Sequence, residues 1–420
     1  MSAESFLKEE LHKIDSKISQ KKTSFVFRDV DFELADLLIF AAPEEVFFFK
    51  SKEEDYSFLG LGKSVDVDET FIPEFVRTNP NATLVYQDTF EKTKPPICYL
   101  PEWTFVKENG SVTLNVYESL EFQTYSPVNL MFNLSVWESF LGPWISYEEK
   151  PDRDEWSEMI HASTRLFQKQ ELEKIVLSRK KIFTYDSQIE LPVLFRELYL
   201  GNINSSHFSI YHQINFLEAF ISFTPERLFT LKGLELETVS LAGSTPRGKT
   251  EEEDKLLEAE LESSDKLIRE HGIVTKNIQD KLSKLSSKLE ISPLVTMKLP
   301  YIQHRQAKIF AKLLSDVTVI DLIDSLHPTP AVGGIPQRPA RDKILEIEKE
   351  PREFYAAPVG VISKNFSELA VGIRSAYAIN ETLTVYGGAG IVAGSIAESE
   401  WMETGIKMQP FIKVINKSTI

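Results

Sequence analysis

Short apolar runs separated by turns make up the first 150 positions. The runs are rich in β-branched and aromatic residues, and Asn, Asp, Pro or Gly bound most of them. This pattern predicts β-strands joined by tight turns. The runs lie at 24–30, 35–42, 45–51, 82–88 and 111–118.

The pattern changes near residue 155. Residues 155–172 have the apolar spacing of an amphipathic helix, and a series of long strand-like runs follows it. The runs lie at 174–185, 207–213, 218–224 and 226–240. The last contains the turn LKGLE, which indicates antiparallel pairing.

Three further elements complete the chain. A charged tract at 251–288 has near-helical apolar spacing, and 368–390 predicts a strand pair that leads through GGAG into a helix. We find no fixed repeat, low-complexity segment or linker. The sequence therefore predicts one large α+β domain over 1–420, with a divergent part at 1–150 and a motif-bearing part at 155–413.

The amino-acid composition argues against several classes of function. The 420 residues are 42% hydrophobic, and 63 acidic against 47 basic residues give a formal charge of −16. This charge argues against sequence-independent binding to nucleic acid or to an anionic membrane surface. The single cysteine, Cys98, excludes an intrachain disulfide and a Cys-rich metal site. With no apolar signal segment at the N-terminus, we expect a soluble cytoplasmic protein.

Glu400, Glu403 and Lys407 have i, i+3 and i+7 spacing, so they share one helix face. Two carboxylates that close repel each other unless a positive charge lies between them. One interpretation is a solvated face with an ordinary Glu403–Lys407 ion pair. The other is a functional cluster around a cation.

Glu270 continues an apolar stripe formed by Leu267, Val274 and Ile278. A carboxylate there is costly unless it is paired or binds a cation, although a boundary position open to water is an alternative. If Glu270 met Glu400 and Glu403, the three would form an oxygen-only site of the kind that Mg²⁺ prefers.

Lys174 and Glu226 are candidates for a general base and a general acid. Strand alternation places Lys174 on the face of Val176 and Ser178, from which a lysine can point inward; a surface lysine is the alternative. Glu226 follows Pro225 at a strand break, and its alternative role is a salt bridge with Arg227.

Two glycine-containing turns, at 241–248 and 387–390, could present backbone N–H groups to an anion, and Arg374 could clamp a carboxylate. Taken singly, these features are also consistent with ordinary turns and a surface arginine.

Eight segments together, in their order and spacing, resemble the chorismate-utilising enzymes. This family contains isochorismate, salicylate, anthranilate and aminodeoxychorismate synthases. The segments are EKIVLSR, TPERLF, LAGSTPRG, DKLIREHGIV, LHPTPAVGGIP, REFYAAPVGVI, AVGIRSA and GAGIVAG with SEWMETGIK. The resemblance covers residues 155–413.

The resemblance implies the antiparallel-sheet fold of anthranilate synthase component I, with chorismate and Mg²⁺ in a central cleft. It implies that Glu270 and Glu403 hold Mg²⁺ and that Glu400 assists directly or through water. Leu267 stands where relatives often carry another acid. The residues expected to contact substrate are Gly243, Ser244, His327, Ala331, Tyr355, Arg374, Gly388, Gly390 and Lys407.

Three positions indicate the isochorismate synthase branch. Ammonia-using members have Gln at the position of Lys174, members with a covalent lysine place it at Ala242, and anthranilate and salicylate synthases usually have Thr at Ala331. The expected reaction is Mg²⁺-dependent conversion of chorismate to isochorismate for menaquinone or siderophore biosynthesis. Salicylate synthase and a catalytically silent chorismate-binding protein remain alternatives. We expect no glutamine amidotransferase subunit, and a monomer or weak homodimer.

Overall fold

The computed structural model describes residues 2–14, 24–28, 30–117, 131–132, 142–202 and 207–416. The helices in these ranges are α1 (Ala3–Ser5), α2 (Ile72–Thr78), α3 (Arg153–Gln168), α4 (Leu191–Asn202), α5 (Glu251–Ser263), α6 (Asp265–Leu282), α7 (Val319–Leu326), α8 (Gln337–Glu348) and α9 (Ala397–Ile415). Short π or 3-10 turns lie at Phe6–Glu10, Leu11–Lys13, Leu34–Phe40 and Glu69–Phe71.

The strands of the first sheet are β1 (Ser24–Phe27), β2 (Val46–Lys50), β3 (Tyr56–Leu61), β7 (Trp103–Glu108), β8 (Ser111–Val116), β9 (Trp144–Lys150), β10 (Lys174–Tyr185), β11 (Phe208–Asn215), β12 (Glu218–Thr224), β18 (Gly334–Ile335), β21 (Ser375–Ile379) and β22 (Thr382–Val392). Their order is β1-β8-β7-β3-β2-β11-β12-β21-β22-β10-β18, and β9 pairs with β10.

The strands of the second sheet are β4 (Val65–Asp66), β5 (Thr83–Gln87), β6 (Ile97–Leu100), β13 (Arg227–Lys232), β14 (Glu235–Pro246), β15 (Ser286–Ile291), β16 (Val295–Lys298), β17 (Ile302–Leu313), β19 (Pro358–Ser363) and β20 (Phe366–Val371). Their order is β15-β17-β14-β13-β20-β19-β5-β6-β4, and β16 pairs with β17.

The two sheets pack face to face because apolar residues occupy both faces of their central strands. In β2, Phe47 and Phe49 pack with residues of the second sheet, whereas Val46 and Phe48 face the helix-covered core on the other side. All four are buried. The predicted α+β fold of antiparallel sheets flanked by helices is confirmed.

The N-terminal part supplies strands to both sheets. β1, β2, β3, β7 and β8 extend the first sheet, and β4, β5 and β6 extend the second. Within the described residues, no helix is long and apolar enough to cross a membrane.

Several predicted elements have the expected bounds. The strands Lys174–Tyr185 and Glu218–Thr224 match the runs at 174–185 and 218–224, and the turn at 231–235 joins β13 to β14. The helix predicted at 155–172 is Arg153–Gln168, whose Asp152 and Glu155 form a capping box.

Three predictions were wrong in detail. Residues 35–42 are mostly the 3-10 helix Leu34–Phe40, which begins with a capping box between Glu33 and Asp36. The tract 251–288 forms two helices separated at Ser264, and its end belongs to β15. The segment 368–390 contains parts of three strands, because the backbone turns at Arg374 and passes from the second sheet to the first.

Candidate active site

A cavity lies where β10 and β22 of the first sheet approach β14 and β17 of the second, with α6 and α9 beside them. All the residues predicted from the sequence as site residues line it except Glu400 and His327. They are Lys174, Glu226, Gly243, Ser244, Glu270, Ala331, Tyr355, Arg374, Gly388, Gly390, Glu403 and Lys407.

Lys174 is the first residue of β10, and its side chain is 1% exposed. Its Nζ donates a hydrogen bond to Glu270 Oε1 at 2.9 Å. The glycine at 390 allows this contact, because a Cβ there would lie 2.5 Å from Glu270 Oε1. The surface alternative for Lys174 is therefore wrong.

The same ion pair sets the charge of Glu270. Burial acts to raise the pKa of this carboxyl, but the ammonium groups of Lys174, Lys407 and Lys266 outweigh it, and the pKa is lowered. Glu270 is thus an anion at neutral pH. Its side chain is 14% exposed, which contradicts the alternative of a carboxylate open to water.

Glu400 and Glu403, both on α9, each have a lysine partner. Glu403 pairs with Lys407 at 2.7 Å, and Lys407 Nζ also donates to the Gly388 carbonyl at 2.8 Å. Glu400 is 1% exposed and accepts from Lys266 Nζ at 2.8 Å. The Glu403–Lys407 pair expected for a solvated face does form, but it lines the cavity.

The charges of neighbouring groups shift the pKa values of Glu400 and Lys266. Burial, followed by the nearby Glu403 carboxylate, raises the pKa of Glu400. Burial acts to lower the pKa of Lys266, but the three carboxylates Glu400, Glu270 and Glu403 raise it overall. Lys266 is therefore within electrostatic range of all three.

The three carboxylates are suited to a hard cation by donor type, since each offers oxygen ligands. In the described ranges, no three His, Cys, Asp or Glu side chains are already grouped to hold a metal ion. Lysine ammonium groups neutralise the carboxylates instead. Each of these lysines contacts the Oε1 atom of its carboxylate, so a cation would compete with the ammonium groups for these side chains.

Glu226 sits at the break between β12 and β13 and is 5% exposed. Its Oε1 accepts a hydrogen bond from Thr329 Oγ1 at 3.2 Å. Burial raises the pKa of Glu226 to about 7, although Thr329, Lys174, Lys407 and Lys52 oppose the shift.

The alternative of a Glu226–Arg227 salt bridge is wrong. Arg227 pairs instead with Glu368 and Glu53, both at 3.1 Å, and with Glu237. Glu226 is thus a buried carboxyl that can carry a proton at neutral pH.

Arg374 is a buried guanidinium, 7% exposed, with no carboxylate partner among the described residues. Its Nη2 donates to His304 Nε2 at 3.4 Å, and its Nε has no partner. His304 Nδ1 in turn donates to Ser244 Oγ at 2.8 Å. Arg374 has a positive φ of 48°, a backbone conformation that is uncommon outside glycine and is often found at functional sites.

Aromatic rings form another part of the wall. Tyr355 stacks on Tyr386 with centroids 5.0 Å apart, and both line the cavity. A Cβ at Gly388 would lie 2.6 Å from Tyr355 Oη, so glycine is needed for this close approach. Gly243 has a φ of +77°, and a Cβ there would be 3.0 Å from the Leu267 carbonyl oxygen.

The structure places His327 elsewhere. Its ring is 2% exposed, donates from Nε2 to the Ala356 carbonyl at 2.9 Å, and lines a different cavity beside α7 and α8. The prediction that His327 contacts substrate in the central cavity does not match this position. Glu400 also lies behind the cavity wall, held by Lys266.

Sequence reasoning missed four neighbours of the site: Lys52, Lys266, His304 and Thr329. Lys52 Nζ donates to the Pro225 carbonyl at 2.7 Å, so the N-terminal part supports the residue before Glu226. Thr329 occurs within LHPTPAVGGIP and Lys266 four residues before Glu270, so their motifs were visible. No sequence signal marked Lys52 or His304, whose partners are distant along the chain.

Comparison with known proteins agrees with this site. The sequence model of the chorismate binding enzyme family matches residues 97–416. The chain therefore belongs to the family of chorismate-binding enzymes.

Individual relatives narrow the comparison. The isochorismate synthase MenF of Bacillus subtilis (strain 168) is 35% identical over 274 residues, which are 64% of this chain and 57% of that protein. The aligned region thus spans less than two thirds of the relative's length.

Two solved structures share the fold. The menaquinone-specific isochorismate synthase MenF from Escherichia coli superposes with a TM-score of 0.87 at 22% identity, covering 97% of this chain and all of that one. Anthranilate synthase component I from Streptococcus pneumoniae TIGR4 does so with a TM-score of 0.65 at 18% identity, covering 93% and 92%.

Proposed function

We propose that this protein is an isochorismate synthase, an isomerase that adds water at C2 of chorismate and removes the C4 hydroxyl. The observation that carries the proposal is a buried base and acid in one cavity, Lys174 and a Glu226 carboxyl with a pKa of about 7. The matched relative named isochorismate synthase supports it.

The cationic side chains suit a dianionic substrate. Arg374 has an unpartnered Nε and no carboxylate partner among the described residues, so a substrate carboxylate would satisfy it. Lys407 and Ser244 offer further donors in the same cavity. The cavity volume is only about 60 Å³, whereas ligand pockets are typically about 300–1,000 Å³. Substrate entry therefore requires side chains such as the ion-paired lysines to move.

The chemistry needs opposite protonation states in the base and the acid. Lys174 removes a proton from a water molecule, and the water oxygen bonds to C2 while the ring double bond shifts. The C4–O bond breaks, and Glu226 donates its proton so that the C4 hydroxyl leaves as water. Net water is unchanged, so substrate and product are isomers.

Lys174 is a competent base only when neutral. Its Nζ donates to Glu270 Oε1, and a neutral amine can keep this hydrogen bond while its lone pair faces the water.

We propose that Glu270 and Glu403 hold Mg²⁺, with Glu400 assisting directly or through water. Their oxygen donors suit this ion, and Lys266 is the group that would compete with it for Glu400. A bound Mg²⁺ would offset the repulsion between these carboxylates and the carboxylates of the substrate.

Salicylate synthase differs in continuing to pyruvate elimination. Ala331 lines the cavity at the position where that branch usually has Thr, which favours the isochorismate reaction. A silent binding protein would not need a buried carboxyl with a pKa of about 7 beside Lys174.

The test is to incubate purified protein with chorismate and Mg²⁺. We expect a product of unchanged mass that a separate lyase converts to salicylate. Stoichiometric pyruvate before the lyase is added would assign salicylate synthase instead. No turnover under any metal condition would favour the silent binding protein.

The last part of the proposal concerns the cellular location, the pathway and the assembly of the enzyme. We propose a cytoplasmic enzyme that supplies isochorismate to menaquinone or siderophore biosynthesis. It uses water, so we expect it to act without a glutamine amidotransferase subunit, as a monomer or weak homodimer.

A further inference from the structure

A second cavity, with a volume of about 660 Å³, lies beside the central site. The end of α6, the last turn of α7 with the residues after it, and the start of α8 form its wall, together with Lys92. It is the cavity that His327 lines. None of its lining residues belongs to the central cavity.

Positive charge dominates this wall. Four cationic side chains line it, Lys92, Lys281, Arg338 and Arg341, against one carboxylate, Asp324. Lys92 forms an ion pair with that carboxylate, with its Nζ 2.6 Å from Asp324 Oδ1. Lys92 Nζ also lies 3.7 Å from Asp88 Oδ2. Such a concentration of positive charge stands out in a chain with a formal charge of −16.

The other three cations lack counter-ions. Within the part of the chain that the structure describes, Lys281, Arg338 and Arg341 form no ion pair. Lys281 Nζ donates only to the neutral Gln337 Oε1, at 2.7 Å, and burial lowers its pKa to about 8. These three cations share a cavity whose one carboxylate, Asp324, is already paired with Lys92, so they repel one another, and an anionic ligand would relieve this repulsion.

His327 adds a buried polar group without a partner. Its Nε2 donates to the Ala356 carbonyl, so Nδ1 is an acceptor, and this atom has no hydrogen bond. Burial lowers the pKa of His327 to about 3, with Lys92, Lys281 and Arg341 contributing, and the ring is therefore neutral. Because Nδ1 is itself buried, His327 contributes a neutral ring to the wall, and the cationic side chains are the groups that a ligand can reach.

We propose that this cavity, formed by Lys281, Arg338, Arg341 and His327, binds a compact oxyanion with at least two negative charges. A phosphate group and a small dicarboxylate share this chemistry. Arg338 and Arg341 supply guanidinium forks for its oxygens, and the positive end of α8, which begins at Gln337, adds to the field.

The site adjoins the segment that holds the proposed catalytic acid. Gln337 accepts from Lys281 and donates from Nε2 to the His327 carbonyl at 2.8 Å. Two residues later, Thr329 donates to Glu226. The binding proposal itself does not rest on the proposed reaction.

Isothermal titration calorimetry of the whole protein with inorganic phosphate, at constant ionic strength in chloride, tests the proposal. We expect saturable binding at one site. The double variant Arg338→Gln/Arg341→Gln and the single variant Lys281→Met should each weaken binding by about tenfold or more, because each loses charge-assisted hydrogen bonds. A parallel titration with malonate distinguishes a phosphate ligand from a dicarboxylate ligand, because the preferred class should bind more tightly.

The control is the double variant Arg153→Gln/Arg165→Gln, which removes the same charge outside this cavity. Its affinity should match that of the unmodified protein. Removing mutually repelling cations should not unfold the chain, and thermal unfolding without ligand checks this. The proposal is overturned if neither anion gives saturable binding, if the Lys281→Met and cavity-arginine variants bind as tightly as the parent, or if the control loses as much affinity.

Discussion

Replacing Glu226 with Gln separates the catalytic value of this buried carboxyl from its cost to stability. The amide keeps the volume and can still accept from Thr329, but it carries neither a charge nor an acidic proton. Because burial raises the pKa of Glu226, the unmodified protein must bury an ionised carboxylate at high pH. Glu226→Gln removes this cost.

The pKa shift gives the magnitude. The pKa of Glu226 rises from 4.5 to about 7 on folding. A raised carboxyl pKa stabilises the folded state most below the unfolded value, and this contribution is lost as pH rises through about 7. At roughly 1.4 kcal/mol per unit, the loss between pH 5 and pH 8 is about 2–3 kcal/mol. Glu226→Gln lacks this pH dependence.

The assay is urea unfolding of both proteins at pH 5 and pH 8. For each pH, the free energy of unfolding of the parent is subtracted from that of Glu226→Gln, and the two results are compared. Between pH 5 and pH 8, the free energy of unfolding of Glu226→Gln should rise by about 2–3 kcal/mol relative to that of the parent. Its kcat for chorismate should fall by about 10²-fold or more. The exposed Glu252→Gln is the matched control and should show no such gain. A pH-independent difference for Glu226→Gln would refute the reasoning.

Three further changes test other parts of the site. Lys174→Arg should be nearly as inactive as Lys174→Ala, losing about 10²-fold or more in kcat, because a guanidinium cannot become a neutral base near pH 7; turnover within about tenfold of the parent would make Lys174 an electrostatic residue. EDTA should abolish turnover, and Glu270→Gln or Glu403→Gln should weaken Mg²⁺ binding in calorimetry while the fold survives; full activity after metal removal would contradict the metal site. Gly390→Ala should lower both thermal stability and turnover, because its Cβ would lie 2.5 Å from Glu270 Oε1. The control is Gly272→Ala, which lies in a helix with open space around it. This variant should have unchanged stability or gain up to about 1 kcal/mol. Equal unfolding temperatures for the two alanine variants would show that the Gly390 contact is unimportant.

Local sequence patterns predicted much of the secondary structure. The apolar runs at 174–185 and 218–224 match β10 and β12 because long β-branched and aromatic runs have few other local options. The run at 35–42 fails because an apolar run alone does not distinguish a buried strand from a buried helical turn. There the capping box between Glu33 and Asp36 favours the turn.

Motifs also identified most residues that line the central cavity, since their order along the chain is visible in the sequence. What the motifs could not reveal is how each side chain is paired. Lys174 lies next to Glu270 only because β10 pairs with β22 in a register that puts Gly390 opposite Val176 and leaves room for the contact.

By itself, the sequence determined the strand-rich α+β pattern, the identity of the acid and base candidates, and a family resemblance that depends on order and spacing. Only the tertiary structure decided that Lys266 holds Glu400 and that His327 lines a second, cationic cavity. Lys266 and Glu400 are 134 residues apart, and Lys281 and Gln337 are 56 apart. Contacts at such separations depend on how helices pack against the sheets, and local periodicity does not encode this.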